Sequence, residues 1–263
     1  MNRLIYLILI VVLSLASCSE YEKVLKSNDI DLKYKKAFEY YDKKDYEKAV
    51  ALFEYISAFY KAREEGAKVD FYYAKSLYGQ GDYLLAGYKF SEFVKNYRNS
   101  EYVEEAAFLY AYCYYLLSPR PSLDQEYTMK AIDAFTLFIA QFPRSQRLKE
   151  CSDLMSKLIS KLYEKSYLNA VLYYNLEDYK ASIIALRNAL NSLPESEYRE
   201  EISFLIVKSG YLLAKNSIPS KQKIRYQDVI DDYLTFKEEF PKSLHLKEAE
   251  RYYELSNKFL ENK

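Results

Sequence analysis

An all-α solenoid of stacked helical hairpins is the fold this sequence predicts, and three observations predict it. The 263 residues hold only 5 Gly and 6 Pro, whereas chains rich in strands and turns carry more of both. A stretch of ten residues recurs three times with the same small, apolar, Tyr and Asp-Tyr positions. A shorter stretch, in its fullest form aromatic, Pro, basic, Ser, recurs where one hairpin should stop and the next begin.

The long stretch reads AFEYYDKKDY from Ala37 to Tyr46, AKSLYGQGDY from Ala74 to Tyr83 and AVLYYNLEDY from Ala170 to Tyr179. Three positions beyond each closing Tyr stands a small residue (Ala49, Ala86, Ser182), and four further on a large apolar one (Phe53, Phe90, Leu186). The small residues let the two helices of a hairpin, A and B, approach closely. The large one fills the groove against the next hairpin. The Asp of the turn is placed to cap helix B. This order and spacing is the tetratricopeptide pattern, so the predicted class is an all-α, tetratricopeptide-type α-solenoid.

The short stretch appears as Tyr97-Arg98-Asn99-Ser100, Phe142-Pro143-Arg144-Ser145, Leu193-Pro194-Glu195-Ser196 and Phe240-Pro241-Lys242-Ser243. Pro cannot continue helix B, and Ser is a favoured N-cap for the helix that follows. Together the two motifs predict five hairpins over 30–65, 66–99, 100–144, 145–195 and 196–242, with a C-terminal capping helix over 243–260. A stack needs such a cap because its last hairpin otherwise exposes an apolar face. Longer connections are expected at 118–124 and 216–224, and an unusually long first helix at 146–174.

The first eighteen residues, MNRLIYLILIVVLSLASC, have a basic start at Arg3 and an apolar run from Leu4 to Leu13. That run is too short to span a bilayer, which takes about 20 residues, and it has the size of a signal-peptide core. Leu15-Ala16-Ser17-Cys18 has the form of a bacterial lipobox, so residues 1–17 are expected to be removed and Cys18 to carry the lipid. Several acyl chains on one residue anchor stably, unlike a single chain. Residues 18–29 then read as a polar, lipidated tether, 30–144 as N-terminal hairpins and 145–263 as C-terminal hairpins with the cap. Ser19 follows the Cys, where an Asp would resemble an inner-membrane retention signal.

Charge is balanced at 38 basic to 38 acidic residues, which gives no electrostatic footprint for nucleic acid. No glycine-rich phosphate loop or metal-ligand spacing is present, so neither cofactor nor metal is expected. His245, the single histidine, falls at the start of the cap, a place for a surface residue rather than a catalytic cleft. Cys113 and Cys151 read either as buried thiols, which behave as small hydrophobes, or as a disulfide in an oxidising compartment. No enzyme is expected.

Two sets of residues are candidates for contact. Tyr34 and Phe71 occupy one equivalent position of helix A, and Tyr41 and Tyr78 another seven residues on, so both positions lie on one side of the helix. They read equally as an aromatic stripe for an extended, aromatic-rich client peptide and as packing residues of the repeat. The connection 118–128 is the least repeat-like part of the chain; Asp124 and Gln125 there are placed to cap the next helix or to meet a partner.

The lipobox and hairpins combine with further stretches: Tyr21-Glu-Lys-Val-Leu-Lys-Ser27, Ala111-Tyr-Cys-Tyr-Tyr115, Ser118-Pro119, Leu123-Asp124-Gln125 with Thr128, Phe142-Pro143-Arg144-Ser145 and Glu150-Cys151. On these, nearly the whole chain resembles the BamD family of outer-membrane β-barrel assembly lipoproteins, in the form seen in Bacteroidetes-type bacteria. The resemblance implies a non-enzymatic scaffold anchored on the periplasmic face of the outer membrane. It implies binding to the POTRA region of a BamA-type barrel insertase, to unfolded outer-membrane proteins and to other assembly lipoproteins. Tyr34, Tyr41, Phe71 and Tyr78 become client-groove candidates, and docking is placed within 196–260. The alternative is another periplasmic tetratricopeptide adaptor lipoprotein, for a cell-envelope or polysaccharide-export system. A glycan-binding surface lipoprotein would use Trp platforms, and the chain has no Trp.

Overall fold

A computed structural model describes residues 20–192 and 197–262. The expected signal peptide, Cys18 and the Leu193–Ser196 stretch lie outside the described residues. A short helix α1 covers 20–26. The hairpins then follow in order: α2 (Ile30–Asp42) with α3 (Tyr46–Tyr60), α4 (Gly66–Gln80) with α5 (Tyr83–Asn96), and α6 (Val103–Leu117) with α7 (Glu126–Gln141). Next come α8 (Leu148–Asn175) with α9 (Tyr179–Ser192), α10 (Arg199–Lys215) with α11 (Pro219–Glu239), and the terminal α12 (Leu246–Glu261). The architecture is the all-α tetratricopeptide-type solenoid, with five hairpins and a terminal helix among the described residues.

The repeat residues do what their sizes require. Ala37, Ala49, Ala74, Ala86, Ala170 and Ser182 are fully buried, and so are Phe53, Phe90 and Leu186. Between them the A–B turns share one backbone device. Lys44, Gly81 and Glu177, aligned in the three long stretches, have φ of 59°, 89° and 60°. Each left-handed residue lets the next amide reach back into the helix: Asp45 N to Tyr40 O at 2.9 Å, Asp82 N to Leu77 O at 3.0 Å and Asp178 N to Tyr173 O at 3.1 Å. This is the Schellman arrangement, which satisfies carbonyls that the helix end leaves open.

Two capping expectations are corrected. Asp82 accepts from Leu85 N at 3.1 Å and Asp178 from Ala181 N at 3.1 Å, but Asp45 makes no such bond and pairs instead with Lys48 at 2.6 Å. Ser100, Ser145 and Ser243 stand three residues ahead of their helices. Each accepts from the amide two residues on (Tyr102, Arg147 and His245, at 3.2, 3.1 and 3.0 Å), closing a turn that precedes the helix. An extra turn fits between the Pro and helix A because the Ser itself donates to the apolar residue three back, as from Ser145 N to Phe142 O at 3.0 Å.

The tether expectation is also revised: residues 20–26 are helical, and Val24 is 4% exposed within the core of the first two hairpins. The second long connection is shorter than expected, because α11 begins at Pro219. Pro is favoured in the first turn, where its missing N–H costs nothing. Two compact units emerge among the described residues, within the bounds Met1–Ser118 with Glu126–Met155, and Pro119–Gln125 with Ser156–Lys263. The division falls inside the 28-residue α8 rather than at the 144/145 hairpin boundary. Among the described residues no helix is long and apolar enough to cross a membrane.

Candidate functional site

The four residues of the expected aromatic stripe have different fates. Phe71 is 1% exposed, and it stacks on Tyr102 with ring centroids 4.6 Å apart. It is a core residue and presents nothing to a ligand. The sequence could not show this because its cover comes from the next hairpin. Tyr34, Tyr41 and Tyr78 are half-buried. Tyr34 stacks on Tyr60 at 5.0 Å, Tyr41 meets Tyr72 edge-on at 4.9 Å, and Tyr78 leans on Tyr83 at 5.5 Å. Burial raises the hydroxyl pKa of all three, so each phenol stays a neutral donor.

Around Tyr41 the first unit carries a polar ladder that sequence reading missed. Lys75, on α4, lies close enough to the Tyr41 hydroxyl of α2 to act on it and donates to Glu105 of α6 at 2.9 Å. Burial disfavours its charge, but Glu105 and Tyr41 more than offset that and raise its pKa. The ammonium also lies 5.4 Å from the centre of the Phe71 ring, one turn back.

The second unit repeats this arrangement. Lys208 of α10 lies close enough to the Tyr174 hydroxyl of α8 to act on it and pairs with Glu248 of α12 at 3.0 Å. It lies 5.6 Å from the ring of Phe204, which stacks on His245 at 4.4 Å. Tyr102 and His245 are the N-cap residues of α6 and α12. Each ladder thus runs across three successive A-type helices, ending on the helix whose N-cap ring covers the Phe. A signal was present in the sequence: Tyr41 and Tyr174 align, and Phe and Lys recur four apart at 71/75 and 204/208.

A cleft of about 490 Å³ lies between α5, α6 and α7 of the first unit. Val94, Ala107, Ala134, Leu137 and Phe138 give it apolar walls, and Lys95 and Arg98 stand at its edge. Neither cation has an ion pair among the described residues. No sequence motif marks it, since its walls come from helices of two successive hairpins.

The 118–128 connection is held from within. Gln125 is 6% exposed and donates through Nε2 to Arg120 O at 2.9 Å and Leu123 O at 3.0 Å. It fastens the loop from a buried position rather than standing exposed as expected of a contact residue; Asp124 is exposed. Lys165 of α8 donates to Leu123 O at 2.8 Å, and Ser118 and Thr128 join the ends of the connection at 2.7 Å. In the 196–260 region Ile218, Ile224, Leu234 and Leu244 are exposed, Leu244 at 96%.

Cys113 and Cys151 are free and fully buried. Burial pushes the Cys113 thiol up to about 12 and the Cys151 thiol up to about 11. His245 is half-buried, and its Nε2 lies 2.9 Å from Glu201 Oε2, so it ties the terminal helix to α10. Among the described residues no group of three His, Cys, Asp or Glu side chains is placed to hold a metal ion.

The family model for YfiO, described as an outer membrane lipoprotein, matches residues 27–226. The chain belongs to the YfiO outer membrane lipoprotein family. In this family member the match includes Tyr41, Lys75, Glu105, Tyr174 and Lys208, and stops before α12. A curated relative from Aquifex aeolicus (strain VF5), named a putative outer membrane protein assembly factor BamD, is 25% identical over 266 residues, covering 98% of this chain and 83% of the relative. Two solved tetratricopeptide structures are similar at lower levels. The TPR2AB domain of yeast Sti1, in a pHSP90 complex, is 14% identical with a TM-score of 0.39, over 87% of this chain and 98% of that one. The TPR domain of P58(IPK) is 14% identical with a TM-score of 0.42, over 92% of this chain and 68% of that one.

Proposed function

We propose that this YfiO-family lipoprotein is a non-enzymatic scaffold of the outer-membrane β-barrel assembly machine. The observation that carries the reading is the family match over 27–226, joined by a BamD-named relative aligned over nearly the whole chain. Cys18 is the lipid attachment site and holds the protein on the periplasmic face of the outer membrane. The 30–144 hairpins receive unfolded outer-membrane proteins, with the half-buried edges of Tyr34, Tyr41 and Tyr78 as contact points. The 196–260 region docks on the POTRA region of a BamA-type barrel protein, where Ile224 and Leu234 offer apolar contact area. Further assembly lipoproteins join the same complex.

The test is affinity purification of the tagged, full-length protein in mild detergent, followed by mass spectrometry. A POTRA-bearing barrel protein recovered in near-equal amount supports the reading. Ile224→Glu with Leu234→Glu should then lose that partner while keeping helical content, because charges replace apolar contact at a docking surface. Absence of any such barrel protein, even after cross-linking in cells, sinks it.

A further inference from the structure

The short helix α1 leaves the acylated end of the chain almost no slack. It runs antiparallel to α2, as three contacts in register show. Glu20 pairs with Lys36 at 2.9 Å, Tyr21 meets Tyr40 edge-on at 5.6 Å, and Leu25 O accepts from Lys33 Nζ at 2.9 Å. Val24 is buried between them. Lys33 is itself 1% exposed, held by that carbonyl and by the face of Tyr55 at 3.4 Å. A lysine side chain at the last turn of a helix complements the dipole and the open carbonyls there. On α3, Lys48 lies 5.6 Å from the Tyr21 ring and 5.4 Å from the Tyr40 ring, which fixes the start of α1 against both helices of the first hairpin.

The start of α1 therefore points toward the α2–α3 turn, where Lys43 and Lys44 are exposed. Lys43 is close enough to act on the Glu20 carboxylate, as is Lys23 of α1 itself. Cys18 precedes Glu20 by two residues. Two residues span at most about 7 Å whatever their conformation.

Taking Cys18 as the lipid site, a premise that belongs to the proposed function, we infer that α1 is a rigid coupling between the anchor and the first hairpin. It lays the α2–α3 turn, with Lys43 and Lys44, against the lipid headgroups and sets the α3–α4 connection (61–65) away from them. The surface that Lys43 meets is the bilayer to which the chain is anchored, and the orientation of the first hairpin is fixed by α1 rather than left to a flexible leash.

The experiment uses acylated, full-length protein in phosphatidylethanolamine–phosphatidylglycerol vesicles that contain a lipid with a nitroxide just below its headgroup. One fluorophore is placed at Lys43→Cys or at Arg63→Cys; the native Cys113 and Cys151 are buried and escape labelling. The two sites lie at opposite ends of the 15-residue α3. At 1.5 Å per residue this is ~20 Å, so the Lys43 label should be quenched about twofold more than the Arg63 label. Val24→Asp should abolish the contrast with circular dichroism unchanged, because it drives α1 off the core. Equal quenching at the two sites, or a contrast that survives Val24→Asp, overturns the inference. Mass spectrometry of the N-terminal peptide separates the premise from the conclusion. Lipid present with equal quenching sinks the rigid coupling alone, whereas lipid absent from Cys18 sinks the anchor on which it rests.

Discussion

Lys44, Gly81 and Glu177 occupy one backbone position in three turns, all with positive φ, and only Gly81 has the residue type that such φ favours. A side chain there crowds the following carbonyl at a cost of roughly 1–2 kcal/mol, partly offset because a non-glycine chain loses less entropy on folding. Lys44→Gly and Glu177→Gly should each stabilise the fold by about 0.5 kcal/mol, and Gly81→Ala should destabilise it by about 1 kcal/mol. Urea midpoints for the three variants check the signs. Gly66 is constrained by space instead: a Cβ there would stand 2.4 Å from Tyr60 O, a backbone atom. Gly66→Ala should cost about 1–3 kcal/mol, the range for overpacking. The turn position itself was legible from the aligned stretches, since Gly81-Asp82 reads as a helix stop. Lys44 and Glu177 adopt the same conformation because the Schellman bonds override their preference. Phe71 shows the opposite limit. Its spacing placed it correctly on one side of helix A, but its exposure was decided by Tyr102, which sits 31 positions on in the next hairpin.

At the level of helices, the pairing of α9 with α11 introduces a pH dependence. Asp232 accepts from Arg187 Nη2 at 2.7 and 2.9 Å. Burial nevertheless pushes its carboxyl up to about 6, with Asp228 and Asp231 adding to the rise and Arg187 opposing it. A folded-state pKa above the unfolded one means that the folded state binds the proton more tightly. The contribution to stability is thus fully present below about pH 4 and is lost as pH rises through about 6. The rise from 3.8 to about 6 bounds this at about 3 kcal/mol, at 1.36 kcal/mol per pH unit. Asp232→Asn should flatten the stability profile between pH 4 and 7, read from thermal midpoints against the parent protein. In other helices and in the 118–128 connection, several of the residues that carried the family resemblance prove to be internal fasteners. Val24, Cys113, Gln125, Thr128 and Cys151 are all buried. The two thiols should therefore stay unreactive to a thiol reagent in the native protein and react on unfolding. The helix pattern was legible because it depends on near-neighbour spacing. The docking of α1 was not, because SEYEKVLKSND is polar in composition and, among its described residues, only Val24 is buried.

For the whole molecule, the two ladders describe one design used twice. In each, a Lys from the middle A-type helix bridges a Tyr on the helix before and a Glu on the helix after, above a Phe that is covered by an N-cap ring. Such a bridge links three hairpin elements through polar atoms, where repeat packing alone joins only neighbours. Both charges have solvent access, with Lys75 at 27% and Lys208 at 26% side-chain exposure, which tempers the strength of each pair. Replacing the Lys by Met keeps the stem that packs on the Phe ring and removes the hub. Lys75→Met and Lys208→Met should therefore each cost about 1 kcal/mol, the net worth of a lost hydrogen bond or partly exposed pair. Because the two ladders share no partner, the double variant should equal the sum of the single ones to within about 0.5 kcal/mol. Chemical denaturation of the three variants measures this. A shortfall or excess well beyond that margin would mean that the ladders are not independent fasteners but energetically coupled parts of a single network.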